Sequence, residues 1–168
     1  MLKMLPLGDV FSGKSGQKRV AEFMLRSGIC VKNGRLLFSG VELSDVKVAR
    51  ALGVDRRVVR AAVATITADK TLRELYGKLG STVVLKDVAA SLGLGAIEII
   101  PKNAQTRGIV ASVARLISDE GISIRQVTIE DPLESDAEMT VVTEKPIPRT
   151  LIDKLLKVNG VRKVVVVN

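Results

Sequence analysis

The chain has 168 residues, enough for one ordinary domain or two small ones, and 46% of them are hydrophobic, ample for burying cores and against disorder. Cys30 is the only cysteine and there is no histidine, which excludes disulfides, histidine-based metal sites and Ser-His or Cys-His catalytic pairs; no catalytic residue, metal ligand or cofactor is assigned, and the chain is not read as an enzyme. The formal charge of +8 lies wholly in the first half, where residues 1–95 hold 16 Lys and Arg against 8 Asp and Glu while residues 96–168 hold 10 against 10, so an acidic polymer, most simply nucleic acid, is expected to meet one half only.

The opening MLKMLPL is too short for a signal sequence, and no apolar run reaches the length of a membrane span, so a cytoplasmic protein with no membrane partner is expected. Residues 8–15, GDVFSGKS, satisfy the P-loop pattern GxxxxGK[ST], in which Lys14 would meet terminal phosphates and Ser15 would hold magnesium. The context opposes that reading: the preceding segment is short and contains Pro6, and no alternating series of parallel strands and helices follows. The segment instead predicts a helix to about Arg26, capped by Ser12 or Ser15, with Val20, Phe23, Met24 and Ser27 along one face. Next comes ICVKNGRLLF, two apolar runs around Asn33-Gly34, the dipeptide that best suits a type I′ hairpin turn. Cys30 reads there as a small buried hydrophobe. Lys32 and Arg35 flank the tip and are candidate phosphate contacts if the hairpin serves as a wing.

Residues 44–66, SDVKVARALGVDRRVVRAAVATI, carry the spacing of a helix-turn-helix. Val48, Leu52, Val59 and Ala62 recur at helical intervals, and Ala49 is small enough for two helices to approach. Gly53 can take the positive φ of the turn, Val54 can fill the corner, and Asp55 can cap the second helix. That helix opens with Arg56, Arg57 and Arg60, where a recognition helix reaches base edges and phosphates; Lys47 and Arg50 on the first helix complete the candidate DNA-contacting set. With one Tyr, three Phe and no Trp there is little to stack on unpaired bases, so duplex DNA is the expected partner. Residues 70–79 predict a further helix that could extend or dimerise this domain. Residues 86–94 predict a short connector helix, which places the boundary near residue 95 and divides the chain into a helix-turn-helix domain at 1–95 and a second domain at 96–168.

In the second half, AIEII predicts a strand ended by Pro101, and residues 105–119 a helix with Ile109, Val113, Leu116 and Ile117 on one face, ended by Gly121. ISIRQVTIE and AEMTVVTE predict two strands joined by an acidic, proline-bearing loop. A second helix from Pro148 carries Leu151, Ile152, Leu155 and Leu156 as far as Asn159-Gly160, and VRKVVVV closes the chain as a strand. The order βαββαβ folds as an antiparallel sheet with both helices on one face, the ferredoxin-like plait, making the whole chain α+β.

Three stretches, KNAQTRG ending in Gly108, DEGISI, and LLKVNGVRKVVVV, together resemble the ACT domain over essentially all of residues 96–168. Its hallmarks are a glycine closing the first strand-helix loop, a Gly-Ile step into the second strand and a Gly-Val step into the last. The resemblance implies a small-molecule-sensing module that commonly binds amino acids, with Asn103, Ala104, Gln105, Thr106, Arg107 and Gly108 as the effector loop. Many members carry an acidic residue and a proline in that loop; here it reads Gln105, Thr106, Arg107, and Arg107 would suit an effector carboxylate. A basic helix-turn-helix ahead of an ACT-like half resembles the archaeal predicted regulators of amino-acid metabolism, and in layout also the leucine-responsive regulators. What this implies is a transcription regulator that binds duplex DNA, is a homo-oligomer, expected to be a dimer through the second domain, and senses an amino acid or related metabolite. The alternatives are a metabolite-binding subunit that docks on a biosynthetic enzyme, with the helix pair as a protein-contact surface, and the nucleotide hydrolase implied by GDVFSGKS.

Overall fold

The computed structural model describes residues 7–130 and 137–167; the first six residues and the core of the expected acidic, proline-bearing loop, 131–136, lie outside the described residues. The chain divides into two units, Met1–Thr82 and Val83–Asn168. The division falls ahead of the expected boundary at residue 95, because residues 83–94 pack on the second unit's sheet. Ala89 is buried there with Ala96 and Val142. The Gln126 side chain holds the same segment by its backbone, donating to the Val83 carbonyl at 2.7 Å and accepting from the Leu85 N–H at 2.9 Å.

The first unit begins with a short helical turn, α1 (Leu7–Val10), followed by α2 (Ser15–Ser27). Residues 8–10, which a P-loop would hold as an open phosphate-binding loop, are therefore helical, so the segment from Gly8 to Ser15 does not take the P-loop form. The expected serine cap is not formed either: Lys14 occupies the N-cap of α2 and no side chain bonds there. Val20, Ala21, Met24 and Leu25 form the buried face, while Phe23 and Ser27 are only half-buried.

Strands β1 (Cys30–Lys32) and β2 (Arg35–Phe38) make the expected hairpin, with Lys32 paired to Arg35 and positive φ at Asn33 (53°) and Gly34 (71°). A second two-residue turn at Ser39 (φ 49°) and Gly40 (φ 85°) adds β3 (Val41–Leu43), a strand the sequence reading did not include, and makes a three-stranded antiparallel sheet.

Helices α3 (Asp45–Leu52) and α4 (Arg56–Ala68) follow. Gly53, at φ 63°, ends α3: its N–H donates to the Arg50 carbonyl and the Val54 N–H to that of Ala49, which satisfies carbonyls left over at the helix end. Asp55 caps α4 by accepting from the Arg57 N–H at 2.7 Å. Val48, Ala49, Val59 and Ala62 are buried, and Leu52 and Val54 pack against them. Helix α5 (Lys70–Gly77) turns its apolar face inward: Leu72 and Tyr76 are wholly buried, and the Tyr76 hydroxyl donates to the Ala21 carbonyl at 2.9 Å. Burial pushes that phenol well above its ordinary range. The face that could have served dimerisation is thus taken up by the unit's own core. Asp69 caps α5, accepting from the Leu72 N–H at 2.8 Å. Asp69→Ala is expected to cost about 1 kcal/mol, the usual value of a lost N-cap, and a thermal melt of the variant against wild type measures it.

In the second unit the order is β4 (Gly95–Pro101), α6 (Ile109–Asp119), β5 (Ile124–Ile129), β6 (Met139–Thr143), α7 (Arg149–Leu155) and β7 (Val161–Val167). The sheet is antiparallel, ordered β5-β6-β4-β7. Val113 and Ile117 of α6 and Leu151 and Leu155 of α7 share a core with Ile97, Ile99 and Val141, so both helices cover one face. Two 3-10 turns, Lys86–Val88 and Ala90–Leu92, run over the other face in place of the expected single connector helix. Helix α6 starts at Ile109 and not at residue 105. The Asn103 side chain accepts from the Gln105 N–H and its carbonyl accepts from the Thr106 N–H, a local turn that competes with helix. Pro148 stands at the N-cap of α7, and Leu156, just past its end, is 44% exposed. The molecule is thus a mixed α+β protein with two antiparallel sheets.

Candidate functional site

The cations expected to meet DNA fall on four elements of the first unit. Lys47 and Arg50 are exposed on α3, and Arg56, Arg57 and Arg60 on α4. Lys32 and Arg35 are exposed at the end of β1 and the start of β2. The structure separates them by what they already hold. Arg57 Nε donates to Asp55 Oδ1 at 3.1 Å, yet its side chain stays 87% exposed. Arg60 Nε donates to Asp45 Oδ2, tying α4 to the first turn of α3. Arg35 donates to Glu42 across β2 and β3 at 3.0 Å. Lys32, Lys47, Arg50 and Arg56 carry no ion pair among the described residues.

The carboxylates respond to these partners. The Arg60 guanidinium bonded to Asp45 holds its carboxyl below the ordinary range. The Arg57 backbone N–H, and then its side chain, do the same for Asp55. Both acids are therefore ionised at neutral pH, and the five cations of α3 and α4 face two carboxylates on the same pair of helices.

Between the small sheet and α4 lies a cleft of about 650 Å³ that sequence reasoning did not find. Gly34, Arg35 and Leu36 of the hairpin, Glu42 and Leu43 of β3, and Asp45 of α3 form one side. The other side is a single face of α4, running from Arg60 through Val63 and Ala64 to Thr67 and Ala68. Ser39-Gly40 was the local signal for β3, without which the wall has no second strand.

The expected effector loop is less of a pocket. Ala104 and Thr106 line a cavity of about 60 Å³ together with Ile99, Ile109, Ile129 and Met139, far below the several hundred Å³ of a typical small-molecule site. Asn103, Gln105, Arg107 and Gly108 do not line it; Arg107 and Gln105 point to solvent, and Asn103 forms the turn described above. The loop is closely met by Gly160: a Cβ there would lie 2.8 Å from Thr106 Cγ2 and 3.0 Å from Ile109 Cδ1.

On the helix-free face of the second sheet, Lys86 Nζ lies 2.6 Å from Glu98 Oε1 and 3.7 Å from Glu138 Oε1. The hydrogen bond to Glu98 raises the Lys86 pKa above the ordinary lysine value. A raised folded-state pKa means the pair's stabilisation is complete below the unfolded lysine pKa and is lost as pH rises through the folded value. The unfolding midpoints of wild type and Lys86→Met are expected to differ at neutral pH and to converge as the pH passes upward beyond the lysine range. A difference that stayed constant with pH would show that the Lys86 charge contributes nothing.

No family model matches the sequence, and no curated protein does. Among solved structures the chain is similar to the ACT domain from GTP pyrophosphokinase of Chlorobium tepidum, at 23% identity and a TM-score of 0.35, over 44% of this chain and 95% of that one. It is also similar to PH0061, at 15% identity and a TM-score of 0.31, over 90% of this chain and 88% of that one. No helix among the described residues is long and apolar enough to cross a membrane.

Proposed function

We propose that the chain is a transcription regulator, not an enzyme, in which α3 and α4 form a helix-turn-helix that docks α4 in the major groove of duplex DNA. The observation that supports this most is the corner itself. Gly53 and the Asp55 cap set the start of α4 so that Arg56 and Arg57 stand exposed on its first turn, with Lys47 and Arg50 on the helix before it. Lys32 and Arg35 at the hairpin tip would add phosphate contacts.

The second unit, in this reading, is an ACT-like ferredoxin plait that pairs two subunits and senses an amino acid or a related metabolite. Its element order and strand order support the plait. Its edge strands support the pairing: Val127 and Ile129 on β5 and Val166 on β7 are exposed at the sheet's two sides, where a second copy would cover them. The small cavity beside Ala104 and Thr106 would then become a full effector site only with residues of a second subunit.

Titration of the full chain with duplex DNA at stepped salt tests the first part. Binding with a steep logarithmic dependence on salt is expected, because each phosphate neutralised releases counterions. No binding, or binding indifferent to salt, would pass the helix pair to the reading in which it docks on an enzyme.

A further inference from the structure

The cleft between the small sheet and α4 has an apolar floor and a charged rim. Leu36 and Val63 are buried at its base, with Leu43 half-buried beside them. Ala64 and Ala68 line α4 with single methyl groups, which is what leaves the space open. At the rim, two cations and two anions stand as the pairs Arg35–Glu42 and Arg60–Asp45. The rim is neutral overall, so a polyanion gains little net attraction from it, and the apolar floor gives nothing to a small hydrated ion. What complements such a surface is a molecule that brings both charges on a hydrocarbon body and exchanges its own ion pairs for those already present. At about 650 Å³ the cleft has the size of a small-molecule site, whereas the cavity at the loop 103–108 does not.

We propose that this cleft binds a zwitterionic small molecule with an apolar body, of the amino-acid or short-peptide class. The carboxylate is taken by Arg60, the ammonium by Asp45, and the hydrocarbon lies on Leu36, Leu43 and Val63. Binding draws Arg60 away from Asp45, so the ligand changes what α4 offers to a duplex. That coupling rests on the DNA-binding reading above; the ligand site does not.

Calorimetric titration of the full chain with phenylalanine, leucine and leucyl-leucine tests the site, with phenethylamine and 3-phenylpropionate as analogues that each lack one charge. Saturable binding of at least one zwitterion is expected, and binding about tenfold weaker or worse for each single-charge analogue, as befits the loss of one charge-assisted contact. Ala64→Phe fills the cleft from an exposed position and abolishes the binding component that belongs to it. Asp45→Asn weakens that component about tenfold, and Arg107→Ala, which alters only the second unit's loop, does not remove it. Fluorescence of Tyr76, the only tyrosine in a chain without tryptophan, reports that each variant keeps the first unit folded. Silence from all three zwitterions, equal binding of the single-charge analogues, or binding that survives Ala64→Phe but not Arg107→Ala would overturn the proposal. A separate duplex titration distinguishes the two readings: loss of DNA binding alone removes the coupling and leaves the calorimetric result standing.

Discussion

Gly28→Ala is expected to destabilise the first unit by about 3 kcal/mol or more, a large fraction of the roughly 5–15 kcal/mol that holds a domain together. Two costs combine at this position. Gly28 ends α2 at φ 66°, a left-handed conformation that costs a residue with a Cβ about 1–2 kcal/mol. The added Cβ would also stand 2.3 Å from the Gly80 carbonyl oxygen, 2.6 Å from its carbon and 2.8 Å from the Ser81 nitrogen. These are backbone atoms and cannot swing aside as a side chain does. Gly53 is the natural control, because it has φ 63° and nothing within 4 Å of the position a Cβ would take. Gly53→Ala should therefore cost only the conformational part, about 1–2 kcal/mol. Urea unfolding followed through Tyr76 fluorescence measures both variants on the unit concerned. Equal losses in the two would mean that the approach of residues 80–81 to the end of α2 carries no weight.

The contrast between these glycines also marks what the sequence discloses. The turn at Gly53 is local: an apolar periodicity stops, a glycine follows, and an aspartate opens the next helix, so α3, the turn and α4 are all legible without the fold. Asn33-Gly34 is legible for the same reason. The need for glycine at position 28 comes from a segment 52 residues away in the chain, Gly80-Ser81, and no spacing announces it. Residues 86–94 mislead in another way. Their pattern suits a connector helix at the end of the first domain, but Ala89 finds its partners on the sheet, Ala96 and Val142, and the segment goes with the second unit. Nothing in Gln105 or Thr106 forbids helix, so the sequence carries α6 back to residue 105; the Asn103 turn and the positive φ of Gly108 hold its start at Ile109.

The candidate site divides along the same line. That α4 begins with exposed arginines is readable from the cap and the periodicity. Which of them is free is not, since the partner of Arg60 is Asp45, fifteen residues earlier and on another helix. The cleft is still less accessible to sequence, because its walls come from β2, β3, α3 and α4 and meet only in the tertiary structure. Two of its four rim charges, Glu42 and Asp45, are unremarkable surface residues when read in order along the chain.

This difference among the arginines sets the expected result for DNA. The triple variant Arg56→Ala, Arg57→Ala, Arg60→Ala should lose about a hundredfold or more in duplex affinity near 0.1 M salt, with a salt slope shallower by about 1 for each phosphate contact removed. The three are not expected to contribute alike. Arg56 makes no ion pair among the described residues, though it stands near Asp45 and Asp55, so most of its attraction to phosphate would be gained on binding. Arg57 and Arg60 would have to exchange Asp55 and Asp45 for phosphate and would gain only the difference. Arg56→Ala alone should therefore cost more affinity than either of the other single changes. Asp45→Asn should act in the opposite sense, tightening binding severalfold by freeing Arg60 and removing a negative charge beside the duplex. A residue that reads a base edge would reveal itself differently, by a loss of about 1–3 kcal/mol in discrimination between sequences with little change in slope. Fluorescence anisotropy with one labelled duplex and one mismatched competitor, across a salt series, separates these outcomes. If the triple variant bound as tightly as wild type at every salt concentration, α4 would not be the element that meets DNA.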